Sequence, residues 1–396
     1  MKHTVLRQKK TINYTISVDI FFCSRAFFLL FCIIFLDTFW TIANDNHSEY
    51  RKILLTRRYN EVAFPATHNA QSSEASSVCN QDLGISEQLN RGIRALKIHI
   101  WYDRDQAGNS VAYVCHGMNK DFLSKSYLDQ VADKVPRLFR PFARDVLKQM
   151  EPLNDIIRQA CRTAYGVDDA PGAIQFPHCI FDPAQRRFAD FLSDISKFMQ
   201  KNPREIITII LEDHTNNLEQ LATEVKKVGL DRYAHSQNKN KVWPTLEQMI
   251  TQNKRLVLLV HAEVPLVFDA YPWLHNLWDF AWDTEWHFDS VADLQCEKGD
   301  CMPKRGLEAF AARNQEPRNK LFIVHHFITE NIGGSKSAAK KVNKRTCLHN
   351  RLKKLTEKAG HIPNIVQVDF FEYPNNDLFE VVKQINREYT PYITKT

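Results

Sequence analysis

The sequence lacks the features that assign a chain to several large classes of protein. It has no CxxC pair and no regular His/Cys spacing, so a structural zinc module is not indicated. It has no internal repeat and no low-complexity linker. Its net charge is only +6 over 396 residues, which gives no case for a nucleic-acid partner. With 44% hydrophobic residues, the chain instead has the composition of a folded protein with a large core.

No apolar run reaches the length of about 20 residues that a membrane-spanning helix needs. The longest is "AFFLLFCIIFL", residues 26–36, which follows a basic N-terminal stretch. Such a run suits the hydrophobic region of a signal peptide. We expect residues 1–43 to be a signal peptide or an uncleaved membrane anchor, and the protein to be secreted or associated with the cell envelope. Export would permit disulfides, whose pairing the sequence leaves open.

Short runs rich in Ile, Val and Leu alternate with amphipathic segments of helix length. The runs that predict strands are "EVAFPAT", "IRALKIHIW", "VAYVCHG", "EIITIILEDH", "RLVLLVHAEV", "KLFIVHHFIT" and "NIVQVDFFE", with a less clear one near "DFAWDTEW". Strands buried on both faces and separated by helices are typical of a parallel α/β sheet. We predict a (β/α)8 barrel of the TIM type over residues 44–396, with a helical insertion at residues 119–185 after the third strand.

Polar and ionisable residues lie at the carboxyl ends of these predicted strands. They are His68 with Asn69, His116, Glu212 to His214, His261, His325 with His326, and Asp369. At one strand such a residue would indicate only solvent exposure. Six strands that share the pattern favour an active site, because that edge carries the active site in (β/α)8 barrels.

Two of these residues, His68 and His116, have the chemistry that phosphodiester cleavage needs. One imidazole can take a proton from the attacking hydroxyl, and the other can donate one to the leaving oxygen. On the second strand, alternation places Lys97 and His99 on one face, where burial would be costly without an anion or a carboxylate. Two interpretations stay open: the two side chains bind a phosphate, or they pair with Glu212.

Several segments together resemble a known family. "FPATHN", "NQDLGISEQLNRGIRALKIHIW", "YVCHG" and "FLSDISKFMQKNPREIITIILEDH" look like the X-domain of phosphatidylinositol-specific phospholipases C and their bacterial and plant-type relatives. "WPTLEQMI", "RLVLLV", "LFIVHHFIT" and "PNIVQVDFFE" resemble the C-terminal half of the single-domain members. The match covers roughly residues 58–386. It implies a distorted (β/α)8 barrel that cleaves the phosphodiester of a phosphoinositide-like lipid.

The resemblance also implies roles for individual residues. His68 would be the general base that activates an inositol hydroxyl, and His116 the acid that protonates the diacylglycerol oxygen. A cyclic inositol phosphate would form first. Asp369 would orient one of the histidines. The candidate substrate-binding residues are Asn69, Arg94, Glu212 and His214.

On the second strand the sequence departs from the calcium-dependent members of the family. Those members carry acidic residues at the positions of Lys97 and His99, and calcium requires several oxygen ligands. Metal-independent bacterial members carry an arginine at the position of His99, where a fixed cation replaces the metal. We therefore favour an enzyme without a cofactor that uses Lys97 and His99 as a cationic clamp. The alternatives are a softer divalent metal on Asn69, His99 and Glu212, or a site that only binds.

The expected partner is a phospholipid or other phosphodiester at a membrane surface. Residues 335–358 carry nine Lys/Arg against one Glu, which would favour an anionic surface, although a solvated helix face is the simpler interpretation. A metal-dependent glycerophosphodiesterase-like or sphingomyelinase-like enzyme is the rival, and the lack of acidic residues on the second strand counts against it. The oligomeric state is not indicated.

Overall fold

A computed structural model describes residues 49–73, 79–104, 110–115, 186–239, 241–262, 266–288, 290–295, 319–330 and 333–390. The chain divides into two compact units after Thr56. In the first unit, residues 49–56 are helical. No helix within the described ranges is both long enough and apolar enough to cross a membrane. The predicted N-terminal signal or anchor, the predicted insertion at residues 119–185 and His116 lie outside the described residues.

The second unit, which begins at Arg57, contains the sheet. Its described strands are β1 (Phe64–Thr67), β2 (Ala95–Arg104), β3 (Ser110–Val114), β4 (Arg186–Arg187), β5 (Ile207–Asp213), β6 (Leu256–Ala262), β7 (Leu274–Asn276), β8 (Ala281–Asp283), β9 (Leu321–His326), β10 (Thr329–Glu330), β11 (Gly333–Gly334) and β12 (Ile365–Val368). Its described α-helices are α1 (Ile85–Arg91), α2 (Phe188–Lys201), α3 (Leu218–Lys227), α4 (Leu246–Thr251), α5 (Leu277–Phe280), α6 (Val291–Leu294), α7 (Lys336–Val342), α8 (Arg345–Ala359) and α9 (Asp377–Glu388).

Ten strands form one curled sheet, in which eight follow the order β7-β6-β5-β2-β1-β12-β9-β8, β3 pairs with β2, and β4 pairs with β3. Every ladder along this path is parallel. The order is that of a (β/α)8 barrel opened between β7 and β8, since no ladder joins these two strands in the described part of the chain. The predicted distorted barrel is thus confirmed, with β7 as a short strand that the sequence did not indicate.

The longer helices α2, α3, α8 and α9 pack against the sheet because each presents apolar side chains to the core. In α2 the buried side chains recur at helical spacing: Phe188, Phe191, Leu192, Ile195, Phe198 and Met199. In the core they meet alternate residues of the strands, such as Leu96, Ile98 and Ile100 of β2. Because side chains alternate along a strand, Lys97 and His99 take the opposite face, as predicted.

The third strand differs from the prediction. β3 pairs with β2 antiparallel, so that Ile100 lies opposite Val114 and Arg104 opposite Ser110. β2 therefore extends beyond the rim of the sheet, and β3 brings the chain back to the level of His99. Cys115, which follows β3, is disulfide-bonded. The prediction that the third strand runs parallel to its neighbours was wrong, because a short apolar run has the same pattern in either direction.

Candidate active site

The ends of β1 and β12 bring a histidine and an aspartate together. Thr67 lies opposite Val368 in the parallel ladder, so the residues that follow them are neighbours. His68 Nδ1 lies 2.9 Å from Asp369 Oδ1. The imidazole of His68 also stacks on the ring of Phe327, with the centroids 3.8 Å apart. Both contacts fix the orientation of the His68 ring.

Asp369 is only 4% exposed and is closely surrounded. Asn80 Nδ2 donates to Asp369 Oδ2 over 3.1 Å. Gly334 packs against the same oxygen, so closely that a Cβ there would lie 2.8 Å from it. Burial raises the pKa of Asp369 to about 8, although the hydrogen bond from Asn80 and the charge of Lys97 act in the opposite direction. The surroundings of Asp369 therefore disfavour the ionised form of this carboxyl.

A second group of side chains lies on β2 and β5, where His99 is opposite Glu212. Lys97 Nζ is 2.6 Å from Glu212 Oε2, which is the ion pair that one of the two interpretations anticipated. Burial acts to raise the pKa of Glu212, but the charges of His99, Lys97 and His214 outweigh it and hold the pKa well below its usual range. Glu212 is therefore a carboxylate that partly neutralises a cluster of nitrogen bases.

The imidazole of His99 connects this cluster to β1. Its Nε2 lies 3.0 Å from Asn69 Oδ1 and its Nδ1 lies 3.1 Å from His214 Nε2. His214 stacks on Trp101, with the ring centroids 3.8 Å apart. Asn69 Nδ2 donates to Asn80 Oδ1 over 3.2 Å. Because Asn80 also donates to Asp369, the His68–Asp369 pair and the cluster on β2 and β5 belong to one hydrogen-bond network.

The structure brings most of the predicted site residues together at the carboxyl edge of the sheet: His68, Asn69, Lys97, His99, Glu212, His214 and Asp369. Arg94 is the exception, and the structure corrects its prediction as a substrate-binding residue. It precedes β2, at the amino edge, where its Nε pairs with Glu205 over 2.7 Å and its Nη1 donates to the carbonyls of Leu89 and Ile93. His116 lies outside the described residues.

Two other strand-end histidines have different surroundings. His325 Nε2 lies 3.1 Å from Asp283 Oδ2. His326 takes the opposite face of β9, is fully buried and contacts the carbonyl of Val342 through Nε2 at 2.9 Å. Burial, together with the charge of Arg351, lowers the pKa of His326 to about 3. His326 is therefore a neutral core residue and not part of the site.

Three residues of the site were not predicted from the sequence, namely Asn80, Trp101 and Phe327. A signal existed for two of them. Asn80 is the first residue of the "NQDLG" stretch that carries the family resemblance. Trp101 lies two residues after His99 on the same strand, and strand alternation therefore gives both residues the same face. Phe327 follows β9 in a loop, where no periodicity applies.

Comparison with known proteins identifies the family. The family model described as PI-PLC X 1 matches residues 54–138 and 148–386. The chain belongs to this family. A PI-PLC X domain-containing protein of Arabidopsis thaliana is 27% identical over 226 residues, 53% of this chain and 46% of its own length. PI-PLC X domain-containing protein 1 of Arthroderma benhamiae is 20% identical over 296 residues, 73% of this chain and 70% of its own length.

Solved structures of bacterial phospholipases are also similar. The phosphatidylinositol-specific phospholipase C of Listeria monocytogenes has a TM-score of 0.45 and 16% identity, over 84% of this chain and 95% of its own. The phosphatidylinositol-specific phospholipase C of S. aureus has a TM-score of 0.45 and 11% identity, with the same two shares. The match to the Arabidopsis protein spans about half of that relative's length.

The calcium used by some members of the PI-PLC X family does not fit this site. Calcium takes six to eight oxygen ligands. Here the oxygens of the cluster come from Asn69 and Glu212, and both face nitrogen: Asn69 Oδ1 contacts His99, and Glu212 Oε2 is paired with the Lys97 ammonium. Among the described residues the cluster is therefore rich in nitrogen, and calcium has no part in the proposed reaction.

Proposed function

We propose that the protein is a phosphodiesterase of the phospholipase C type that cleaves the phosphodiester of a phosphoinositide-like lipid. The observation that carries this proposal is the His68–Asp369 pair, with Nδ1 and Oδ1 2.9 Å apart, on the same edge as the Lys97 cluster. A base and a positively charged group on the same edge are two of the elements that cleavage of a phosphodiester uses, together with an acid for the leaving oxygen. Membership of the PI-PLC X family supports the same activity.

In the proposed reaction His68 acts as the general base. With Nδ1 engaged by Asp369, the imidazole receives the proton of an inositol hydroxyl on Nε2. The hydroxyl oxygen then forms a bond to phosphorus, and the bond from phosphorus to the diacylglycerol oxygen breaks. His116, directly after Cys115, is the proposed acid that gives this leaving oxygen its proton. The product that keeps the phosphate is a cyclic inositol phosphate.

The cluster on β2 and β5 is proposed to stabilise the negative charge of the phosphoryl group. It combines the Lys97 ammonium and two imidazoles, His99 and His214, with a single carboxylate, Glu212. Lys97 supplies the positive charge, and the ring nitrogens of His99 and His214 lie close to it and to Glu212. Fixed positive groups of this kind are effective because they need no reorganisation when charge develops in the transition state.

An assay with phosphatidylinositol vesicles tests this function. Full-length protein should release a cyclic inositol phosphate, and His68→Ala should lose this activity. His235→Ala, which alters a histidine beside the amino end of β6, should keep it. Turnover at the wild-type rate in His68→Ala would exclude the proposed base. Lipid binding without turnover would favour a protein that only binds, and cleavage restricted to other phosphodiesters would favour the glycerophosphodiesterase-like or sphingomyelinase-like alternative.

We also propose that α7 and α8 contact an anionic membrane. Of the nine basic residues between positions 335 and 358, eight are exposed, and Arg351 alone is buried, at 1% exposure. α7 lies beside the site, since its Lys336 pairs with Asp82 and stacks over the ring of Phe370, next to Asp369. A basic surface at this position would hold the mouth of the site against lipid.

Two lysine pairs provide a matched test of this membrane contact. Lys340 and Lys341 lie in the last turn of α7, and Lys226 and Lys227 in the last turn of α3. At about 1 kcal/mol per basic residue, Lys340→Gln with Lys341→Gln should weaken binding to vesicles rich in phosphatidylserine by about 30-fold at low salt. The same double change on α3 should have little effect. Equal losses in the two variants would indicate a nonspecific charge effect.

A further inference from the structure

Three side chains of the site converge through their ligand atoms. His99 Nδ1 and His214 Nε2 are 3.1 Å apart, and Glu212 Oε1 is 3.6 Å from the first nitrogen and 3.8 Å from the second. A tetrahedral zinc ion with bonds of about 2.1 Å has ligand-to-ligand separations of about 3.4 Å. The three atoms therefore form a triangle of nearly the size of one face of that tetrahedron.

The hydrogen bonds of His99 point its Nδ1 lone pair into this triangle. Asn69 donates through its amide nitrogen to Asn80, so its Oδ1 is the atom that accepts from His99 Nε2, 3.0 Å away. Nε2 then carries the ring proton, and Nδ1 is the nitrogen available to a metal. Lys97 Nζ is 3.4 Å from the same Nε2, but its shorter contact, of 2.6 Å, is to Glu212. A hydrogen bond on the outer ring nitrogen is the usual support of a metal-binding histidine.

The other two ligands are also held in position. The Lys97 ammonium binds Oε2 of Glu212, which turns Oε1 towards the two imidazoles. The ring of His214 is fixed by its stacking on Trp101, at an interplanar angle of 11°. All three residues are partly buried, so binding would require little rearrangement of the chain.

We propose that His99, His214 and Glu212 bind a divalent ion of the zinc type, with the fourth coordination position open. Two imidazoles and one carboxylate suit zinc and similar transition metals, whereas calcium requires oxygen ligands. The three residues belong to the cluster that is proposed to stabilise the phosphoryl group, and there such an ion would supply a Lewis acid. His99 then serves as a ligand instead of as a cationic clamp. The binding of the ion is a property of the folded chain and does not depend on the proposed phosphodiesterase activity.

Zinc titration of full-length protein tests the proposal. Protein dialysed against a chelator is titrated with zinc chloride in competition with a chromophoric chelator, and the same is done for variants. His99→Ala and His214→Ala should each bind one equivalent of zinc fewer than the wild type. The loss of zinc affinity at this site should exceed the factor of about 10 to 100 that is typical when only a hydrogen bond to a ligand is removed. His349→Ala, on α8, should keep it. Equal stoichiometry and affinity in all four proteins, or no zinc bound by the wild type, would overturn the proposal.

Two further measurements apply to variants that fold poorly, and they distinguish the proposed zinc site from the proposed phosphodiesterase activity. Zinc should raise the melting temperature of the wild type by mass action but not that of His214→Gln, which keeps a polar side chain next to Trp101. An equal rise in both proteins would count against the site. His68→Ala should keep the zinc site while losing turnover. Zinc binding without turnover would therefore refute only the enzymatic proposal, and chelator-resistant turnover without zinc binding would refute only the metal site.

Discussion

Replacing Asp369 by asparagine should separate the stability of the protein from its activity. Burial raises the pKa of Asp369 from 3.8 to about 8. At pH 7 the carboxyl is ionised in the unfolded chain but protonated in the folded protein, so folding must bind a proton. At 1.36 kcal/mol for each pH unit above 3.8, this proton uptake costs about 4 kcal/mol at pH 7. Asparagine has the same shape and does not ionise, so the variant avoids this cost. A weakened hydrogen bond to His68 offsets about 1–3 kcal/mol of the stability that is gained. We therefore expect Asp369→Asn to unfold with a free energy about 1–3 kcal/mol higher than wild type at pH 7.

The sign of this effect depends on pH. A carboxyl with a raised pKa contributes full stability below about pH 4, where it is protonated in both states, and that contribution is lost as the pH rises towards 8. The advantage of Asp369→Asn should therefore be absent at pH 4 and greatest near pH 8. Urea unfolding at several pH values measures it, with Asp269→Asn, at an exposed aspartate, as the control.

The same variant should lose activity while gaining stability. Asparagine cannot stabilise the imidazolium that forms when His68 takes a proton, and a loss of about 100- to 10,000-fold in kcat is expected. Two results would refute this reasoning: a variant that becomes less stable than wild type as the pH rises from 5 to 8, or a variant that turns over at the wild-type rate.

Three other predictions follow from the same geometry. kcat/KM of the wild type should rise with pH through a midpoint near 8, where Asp369 ionises and can hold the Nδ1 proton of His68. This rise should be absent from Asp369→Asn, and a rise with the same midpoint in both proteins would count against a role for Asp369. Lys97→Met should lower kcat by about 100- to 1,000-fold, whereas Lys239→Met, which removes an equally short but 53% exposed ion pair, should leave kcat unchanged. In Gly334→Ala the new methyl group would lie 2.8 Å from Asp369 Oδ2. We expect kcat to fall at least about tenfold and the free energy of unfolding to fall by about 1–3 kcal/mol. An unchanged kcat would show that the carboxylate can move without effect on the reaction.

Local sequence patterns predicted the sheet well because each strand is covered by helices on its outer face. The Ile, Val and Leu runs of β5 and β6 are fully buried, and such runs have few other stable arrangements. Alternation along β2 likewise placed Lys97 and His99 on one face. These two inferences depend only on residues that are near each other in the chain.

The errors concern features that depend on distant parts of the chain. The antiparallel direction of β3 is seen only in its pairing with β2, and its apolar run carries no information about direction. Arg94 was grouped with the site because of its place in the family motif, although a residue before a strand lies at the opposite edge from one after it. Asn80 acts through loops that meet only in the folded protein, and no periodic pattern marks such a contact.

The connection through Asn80 has a consequence for how the site should be dissected. Four hydrogen bonds connect His68 to His99: they join His68 to Asp369, Asp369 to Asn80, Asn80 to Asn69, and Asn69 to His99. A change at Asn80 or Asn69, in the middle of this series, alters the groups that orient both ends. The effects of variants in the base pair and in the nitrogen cluster should therefore not add, because residues that share one network couple energetically. The base and the charged cluster are thus better treated as one unit than as two independent parts of the site.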